Sequence, residues 1–195
     1  MKRIVIFASG SGSNAENIIR YFSDNKNIKV VLLLSNNPDA FAIERAQKHS
    51  IPTFLFTKEE LNNTLKVDLI LKEYNASIIV LAGFLLKIPE YMIRKYSNAI
   101  VNIHPSLLPK YGGVNMYGMH VHQAVKENRE TMSGISIHYV NQFYDEGQLL
   151  FQASVAIKSQ DSAGDIAHKV QQLEYEHYPK VIKKLLFDSK MIDEK

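Results

Sequence analysis

The 195-residue sequence contains no cysteine. That excludes disulfides, thiolate metal centres, iron–sulfur clusters and a cysteine nucleophile together, and it suits a reducing compartment. Long apolar runs are missing too. The longest one away from the N-terminus, Ile78–Leu86, is far short of the ~20 residues a membrane-spanning helix needs. Lys2 and Arg3 followed by Ile4–Ala8 look superficially like a secretory signal. The run is too short for an h-region and ends in a glycine-rich turn, so it reads as a buried first strand and the expected location is cytoplasmic. Charge of one sign is scarce: 23 Lys and Arg stand against 20 Asp and Glu, a net +3, and no more than two cations are adjacent. A nucleic-acid footprint would need a denser basic patch, whereas a small anionic ligand fits this balance. There is no repeat, low-complexity tract or Pro/Gly/Ser-rich linker. With 46 % apolar and 22 % charged residues, the length points to one ordered domain over 1–195.

Strand and helix signals alternate along the chain. The apolar runs Arg3–Ala8, Lys29–Leu34, Pro52–Phe56, Ser77–Ala82 and Ala99–Ile103 read as buried strands. Helical spacing is found over Asn14–Ser23, Ala40–His49 (Phe41, Ile43 and Ala46 inward), Lys58–Tyr74 (Leu61, Leu65, Leu69 and Ile70 on one side), Pro89–Tyr96, His120–Asn128 and Asp165–Leu186. Ser133–Val140 and Leu149–Ile157 alternate like sheet strands around a loop at Asn141–Gly147, and Leu107–Gly118 is irregular. The pattern predicts an α/β fold: a mostly parallel twisted sheet, helices on both faces, and one antiparallel strand toward an edge.

The first strand runs into Gly10-Ser11-Gly12-Ser13-Asn14 and then a helix. Glycines admit a ligand close to the backbone, and the helix N-terminus offers unpaired N–H groups and a positive dipole end, so the turn suits phosphate. Gly10-x-Gly12-x-x-Ala15 also matches a dinucleotide fingerprint, which wants an acid at the end of the second strand. Ser35, Asn36 and Asn37 stand there, with Asp39 late, which favours a phosphomonoester. No lysine follows the glycines as in a Walker loop. A plain tight turn with a Ser/Asn cap is the bland alternative.

Asn102-Ile103-His104-Pro105 leaves a buried strand at the end where open sheets bind ligands. Residues 102 and 104 share a face in extended chain. An Asn amide can donate to a developing oxyanion, and a His can supply a proton or charge near neutrality. Asp145 is the candidate to orient His104 and hold it as imidazolium, with Gly147 turning the loop back toward the sheet. The competing reading has His104 ending a strand and Asp145 in a solvated turn. His120 and His122 face different directions on a helix, which argues against a shared metal ion. His138 either lines the cleft or is a satisfied core histidine. No serine sits in a nucleophile elbow.

Taken together, IVIFASGSGSNAENII, SNNPDAFAIERA, IIVLAGFLLKI, NIHPSLLPKYGG, SGISIHYV with YDEGQLLFQ, and VQQLEYEHYP cover most of the chain. In this order and spacing they resemble the phosphoribosylglycinamide formyltransferase family. The resemblance implies a single-domain Rossmann-like formyltransferase fold, with residues about 1–100 binding the phosphate and about 101–195 the folate. It implies a formyl group passing from 10-formyltetrahydrofolate, as co-substrate and without a metal, to the amine of glycinamide ribonucleotide. The implied catalytic trio is Asn102, His104 and Asp145. The implied substrate contacts are Gly12, Ser13, Asn14, Gln171 and Glu174. The implied folate contacts are Leu85, Leu86, Lys87, Ile88, Asn102, Asn141, Tyr144 and Asp145. Partners are then these small molecules, not nucleic acid or membrane, with the chain a monomer or weak homodimer.

Two departures stand out. GVNMYGMHVHQA is longer than the family's compact form beside the active centre, and Lys58 or Glu60 occupies the place of a basic residue near the folate tail. Methionyl-tRNA formyltransferase and formyltetrahydrofolate hydrolase share a segment like NIHPSLLP, each with an added domain. A non-catalytic nucleotide-binding module would use the glycine turn alone.

Overall fold

A computed structural model describes residues 1–187 of the chain. Fourteen elements follow one another: β1 Lys2–Phe7, α1 Ser13–Phe22, β2 Ile28–Ser35, α2 Phe41–Lys48, β3 Thr53–Leu55, α3 Lys58–Asn63, α4 Lys66–Glu73, β4 Ile78–Leu81, α5 Glu90–Lys95, β5 Ile100–His104, α6 Met119–Glu127, β6 Met132–Tyr139, β7 Leu149–Ala156 and α7 Ala163–Phe187. The strands form one sheet in the order β3-β2-β1-β4-β5-β6-β7. The first five are parallel, and β6 runs against both β5 and β7. One reversed strand near the edge is the expected arrangement. The sheet continues unbroken across residue 100, through the β4–β5 pairing.

Period-two alternation divides each central strand between two cores. Ile4 and Ile6 of β1 face α1, α2 and α7, while Val5 and Phe7 face α3, α4 and α5. Strand order reverses at β1, with β2 on one side and β4 on the other. The loops leaving β1 and β4 diverge there, opening a crevice at the carboxyl ends of the strands.

The expected single helix Lys58–Tyr74 is two helices. Thr57 and Glu60 form a capping box that starts α3. Thr64 is extended (φ −130°, ψ 162°), and its hydroxyl donates to Glu60 O and accepts from Lys66 N, so it ends one helix and begins the next. The break resets the helical phase. Leu65 and Leu69 point outward at 64 % and 59 % exposure, and Val67, Asp68 and Leu71 are buried instead. In α2, Phe41 likewise lies outside, under the cations of Arg45 and Lys48, and Ala42 and Ala46 face the core.

Helix α7 keeps its course through Pro179. Proline has no N–H for the carbonyl four residues back, Tyr175 O. The Asn17 amide of α1 donates to that oxygen at 2.9 Å. Tyr178 next to it is fully buried, its hydroxyl between Leu81 O (2.9 Å) and Val101 O (3.2 Å). Helix α7 is thereby pinned to α1 and to the ends of β4 and β5, and this sets one wall of the crevice.

Candidate active site

A cavity of about 640 Å³ occupies the crevice. Its floor is the turn from β1 into α1. Gly12 has φ +72°, and a Cβ there would collide with the backbone of Ala42, whose N–H donates to Gly10 O. The turn therefore lies directly on the start of α2, and only glycine fits that contact. Gly12 is also the N-cap of α1 and supplies no side-chain partner. The bland alternative, a Ser/Asn cap, is thus absent at this helix start, and the first-turn residues Ser13 and Asn14 line the cavity at the positive end of the dipole. Asn14 donates to Glu174 Oε2 at 2.9 Å, and Gln171 reaches Ser13 Oγ at 3.5 Å, so α7 closes this end. Burial pushes the Glu174 carboxyl up to about 7, against the opposing hydrogen bond from Asn14.

The second wall comes from the ends of β5 and β6. Asn102 and His104 share a face of β5, and Asn102 lies opposite His138 of β6. Asp145 is held in the left-handed region (φ 57°), and its Oδ2 accepts from Gly113 N at 2.9 Å. Gly147 explains how the loop returns: a Cβ there would strike Tyr139 O, so the loop packs backbone to backbone on β6. Asp145 Oδ2 lies 3.4 Å from His104 Nδ1, and Oδ1 lies 3.6 Å from His138 Nε2. The amide, imidazole and carboxylate singled out in the sequence therefore meet in one place.

The expectation that Asp145 keeps His104 charged does not hold. Burial of the ring pushes the His104 pKa below its ordinary value, and this outweighs the opposing pull of Asp145 and of the Tyr111 carbonyl. A contact of 3.4 Å is also longer than the 2.7–2.9 Å of a charge-assisted bond. The neutral ring donates from Nε2 to Tyr111 O at 2.7 Å, because a carbonyl can only accept. Asp145 goes the other way. Its burial is outweighed by His138, His104 and the Gly113 N–H, so it is ionised at neutral pH.

The residues matched to folate contacts line the same cavity: Leu85 to Ile88, Asn141 and Tyr144, with the Lys87 ammonium 5.8 Å from the Tyr144 ring centre. The lengthened segment also contributes, from Gly113 to Met119. Lys58 and Glu60 do not line it, and Glu60 is engaged by the Thr57 N–H and Lys66.

Three residues have partners or surroundings that sequence reasoning did not assign, although it singled out His122 and His138. Ser136 fastens the His104 exit loop: its hydroxyl donates to Ser106 O and accepts from Leu108 N and Gln152 Nε2. His122 is buried in the cavity wall with its Nδ1 unpartnered, and burial lowers its pKa to about 4, whereas His120 is exposed. His138 contacts both Asn102 and Asp145. The alternation Ser136-x-His138 was the available signal for the strand face, but not for its partners.

The sequence profile of a family described as "Formyl transferase" matches residues 2–182. This chain belongs to the formyl transferase family. Among curated relatives, phosphoribosylglycinamide formyltransferase of Bacillus subtilis (strain 168) is 35 % identical, over 95 % of each chain. The chloroplastic phosphoribosylglycinamide formyltransferase of Arabidopsis thaliana is 37 % identical over 93 % of this chain, which spans 64 % of that relative's length. Among solved structures, phosphoribosylglycinamide formyltransferase of Bacillus halodurans superposes with a TM-score of 0.86 at 32 % identity, covering both chains completely. The Anaplasma phagocytophilum enzyme gives 0.88 at 31 %, over 96 % of this chain and 87 % of that one. The formyl transferase fold thus extends over the whole described sheet.

Proposed function

We propose that this chain transfers the formyl group of 10-formyltetrahydrofolate to the primary amine of glycinamide ribonucleotide, yielding formylglycinamide ribonucleotide and tetrahydrofolate in de novo purine biosynthesis. The observation that carries the reading is that a single cavity holds both a helix-terminal anion cradle and the Asn102–His104–Asp145 cluster. Gly12, Ser13 and Asn14 take the substrate phosphate, and Gln171 and Glu174 take its polar middle. Leu85 to Ile88, Asn141 and Tyr144 line the folate's side. The first hundred residues supply most of the phosphate end, and the remainder supplies the chemistry.

The neutral amine attacks the formyl carbon, and a C–N bond forms as negative charge builds on the formyl oxygen. Asn102 donates an N–H to that oxygen. His104 Nε2–H is the second donor, exchanging the Tyr111 carbonyl for the oxyanion. The ionised Asp145 orients a water that carries the proton lost by the amine to the folate nitrogen. Collapse then breaks the bond from carbon to that nitrogen. The reactants are small molecules in the cytoplasm, and the chain acts as a monomer or weak homodimer. No described helix is long and apolar enough to cross a membrane.

Incubating the purified chain with both substrates should release tetrahydrofolate only when glycinamide ribonucleotide is present. Equal folate turnover without the amine would replace this reading with a hydrolase. Binding of the nucleotide with no formyl transfer would leave only a binding module.

A further inference from the structure

His138 has no role in the reaction as derived so far, yet it sits between two members of the cluster. It is 2 % exposed and stands directly across the antiparallel β5–β6 pair from Asn102. Facing residues on one side of such a pair are in side-chain contact. Its Nδ1 lies 2.8 Å from Tyr139 O. A carbonyl accepts and cannot donate, so Nδ1 carries the hydrogen, and in that tautomer Nε2 is a lone pair. That lone pair faces Asn102 Nδ2 at 3.2 Å and accepts one of its hydrogens. The same nitrogen is 3.6 Å from Asp145 Oδ1. Gly147 keeps this edge of the ring clear: a Cβ there would come within 3.3 Å of His138 Nδ1 and strike Tyr139 O.

The chemical consequence concerns the amide. The last torsion of asparagine is broad and nearly two-fold, and the two ends of the amide are alike in shape. Packing alone does not decide whether nitrogen or oxygen faces a given side. An oxyanion site needs the nitrogen, since an amide oxygen next to developing negative charge would repel it. An acceptor on one side of Asn102 decides the matter. We propose that His138 is a positioning residue that fixes the Asn102 amide by accepting one Nδ2 hydrogen, leaving the second for the formyl oxygen.

The inference rests on the formyl-transfer reading, and its tests separate the two. His138→Leu removes the acceptor at similar volume, and His138→Gln keeps an acceptor oxygen. The Leu variant should lose about tenfold or more in kcat, with KM for both substrates within about twofold, because the loss is of transition-state and not ground-state contact. The Gln variant should keep several-fold more activity than Leu. In an Asn102→Ala background, His138→Leu should cost less than about twofold further, since the amide it positions is gone. In the unsubstituted protein, nitrogen-15 NMR of the histidine rings should find His138 as the Nδ1–H tautomer. Wild-type kcat in the Leu variant, equal loss in Leu and Gln, full additivity with Asn102→Ala, or an Nε2–H tautomer would each overturn the proposal. If the Leu variant does not fold, the tautomer decides, and that measurement needs no turnover. Absence of formyl transfer by the unsubstituted protein would instead bring down the underlying reading.

Discussion

Asn102, His104 and Asp145 come from two strand positions and one loop turn, and each does something the other two cannot: donate without charge, titrate, or carry fixed charge. Removing one oxyanion donor of this kind lowers turnover by ~100-fold or more, about 3 kcal/mol. We expect Asn102→Ala, His104→Ala and Asp145→Ala each to reach at least that loss while circular dichroism and thermal melting stay near wild type. Near-normal turnover in purified His104→Ala would reject the mechanism. The electrostatics make a second prediction. Burial lowers the His104 pKa, and Asp145 is the largest influence opposing it. Asp145→Asn should therefore move the His104 NMR titration midpoint further down, and an upward move would show that the Asp145 charge does not hold the ring's pKa up.

At the scale of elements, the crevice depends on how α7 is seated. The Asn17 side chain satisfies the carbonyl that Pro179 leaves without a partner. Asn17→Ala should cost about 1 kcal/mol in urea denaturation. In a Pro179→Ala background a backbone N–H can reach Tyr175 O, so the same substitution should then be nearly neutral. Equal costs in the two backgrounds would mean that Asn17 serves some other purpose. The broken helix at Thr64 shows the limit of reading periodicity. Leu61, Leu65 and Leu69 fit one stripe on an uninterrupted helix. A single extended residue shifts the phase, and two of the three end up outside.

For the whole molecule, two groups that line the cavity, Glu174 and His122, set opposing responses to pH. The Glu174 pKa is raised to about 7 by burial, so the folded state holds that proton more tightly than the unfolded chain. Its contribution grows as pH falls from about 7 toward the ordinary carboxylate range, and above 7 it is a standing cost. The His122 pKa is lowered to about 4, so stability is lost as pH falls from its ordinary value near 6.5 toward 4. We expect Glu174→Gln to gain about 2 kcal/mol at pH 8, allowing for solvent at the cavity mouth, and much less at pH 4. His122→Leu should flatten the acid side of the curve by up to about 3 kcal/mol. Chemical denaturation at pH 8, 6 and 4 checks both, and a Glu174→Gln gain that is largest at pH 4 would reverse the sign of the argument.

How far the sequence carried depended on the range of the interactions involved. The order of strands and helices, the parallel sheet with one reversed strand, and the glycine turn rest on patterns within ten or so residues, and these were legible. So were Asn102 and His104, because an extended chain puts residues two apart on one face. Apart from Asp145 with His104, which groups met across the molecule was not legible, since contacts such as Asn17 with Tyr175, His138 with Asn102, and Gly147 with Tyr139 join segments that share no local pattern. Nor was the protonation of His104. A carboxylate beside a histidine can be guessed from composition and spacing, but the desolvation that outweighs it comes from every atom packed around the ring, and only the folded chain supplies those atoms.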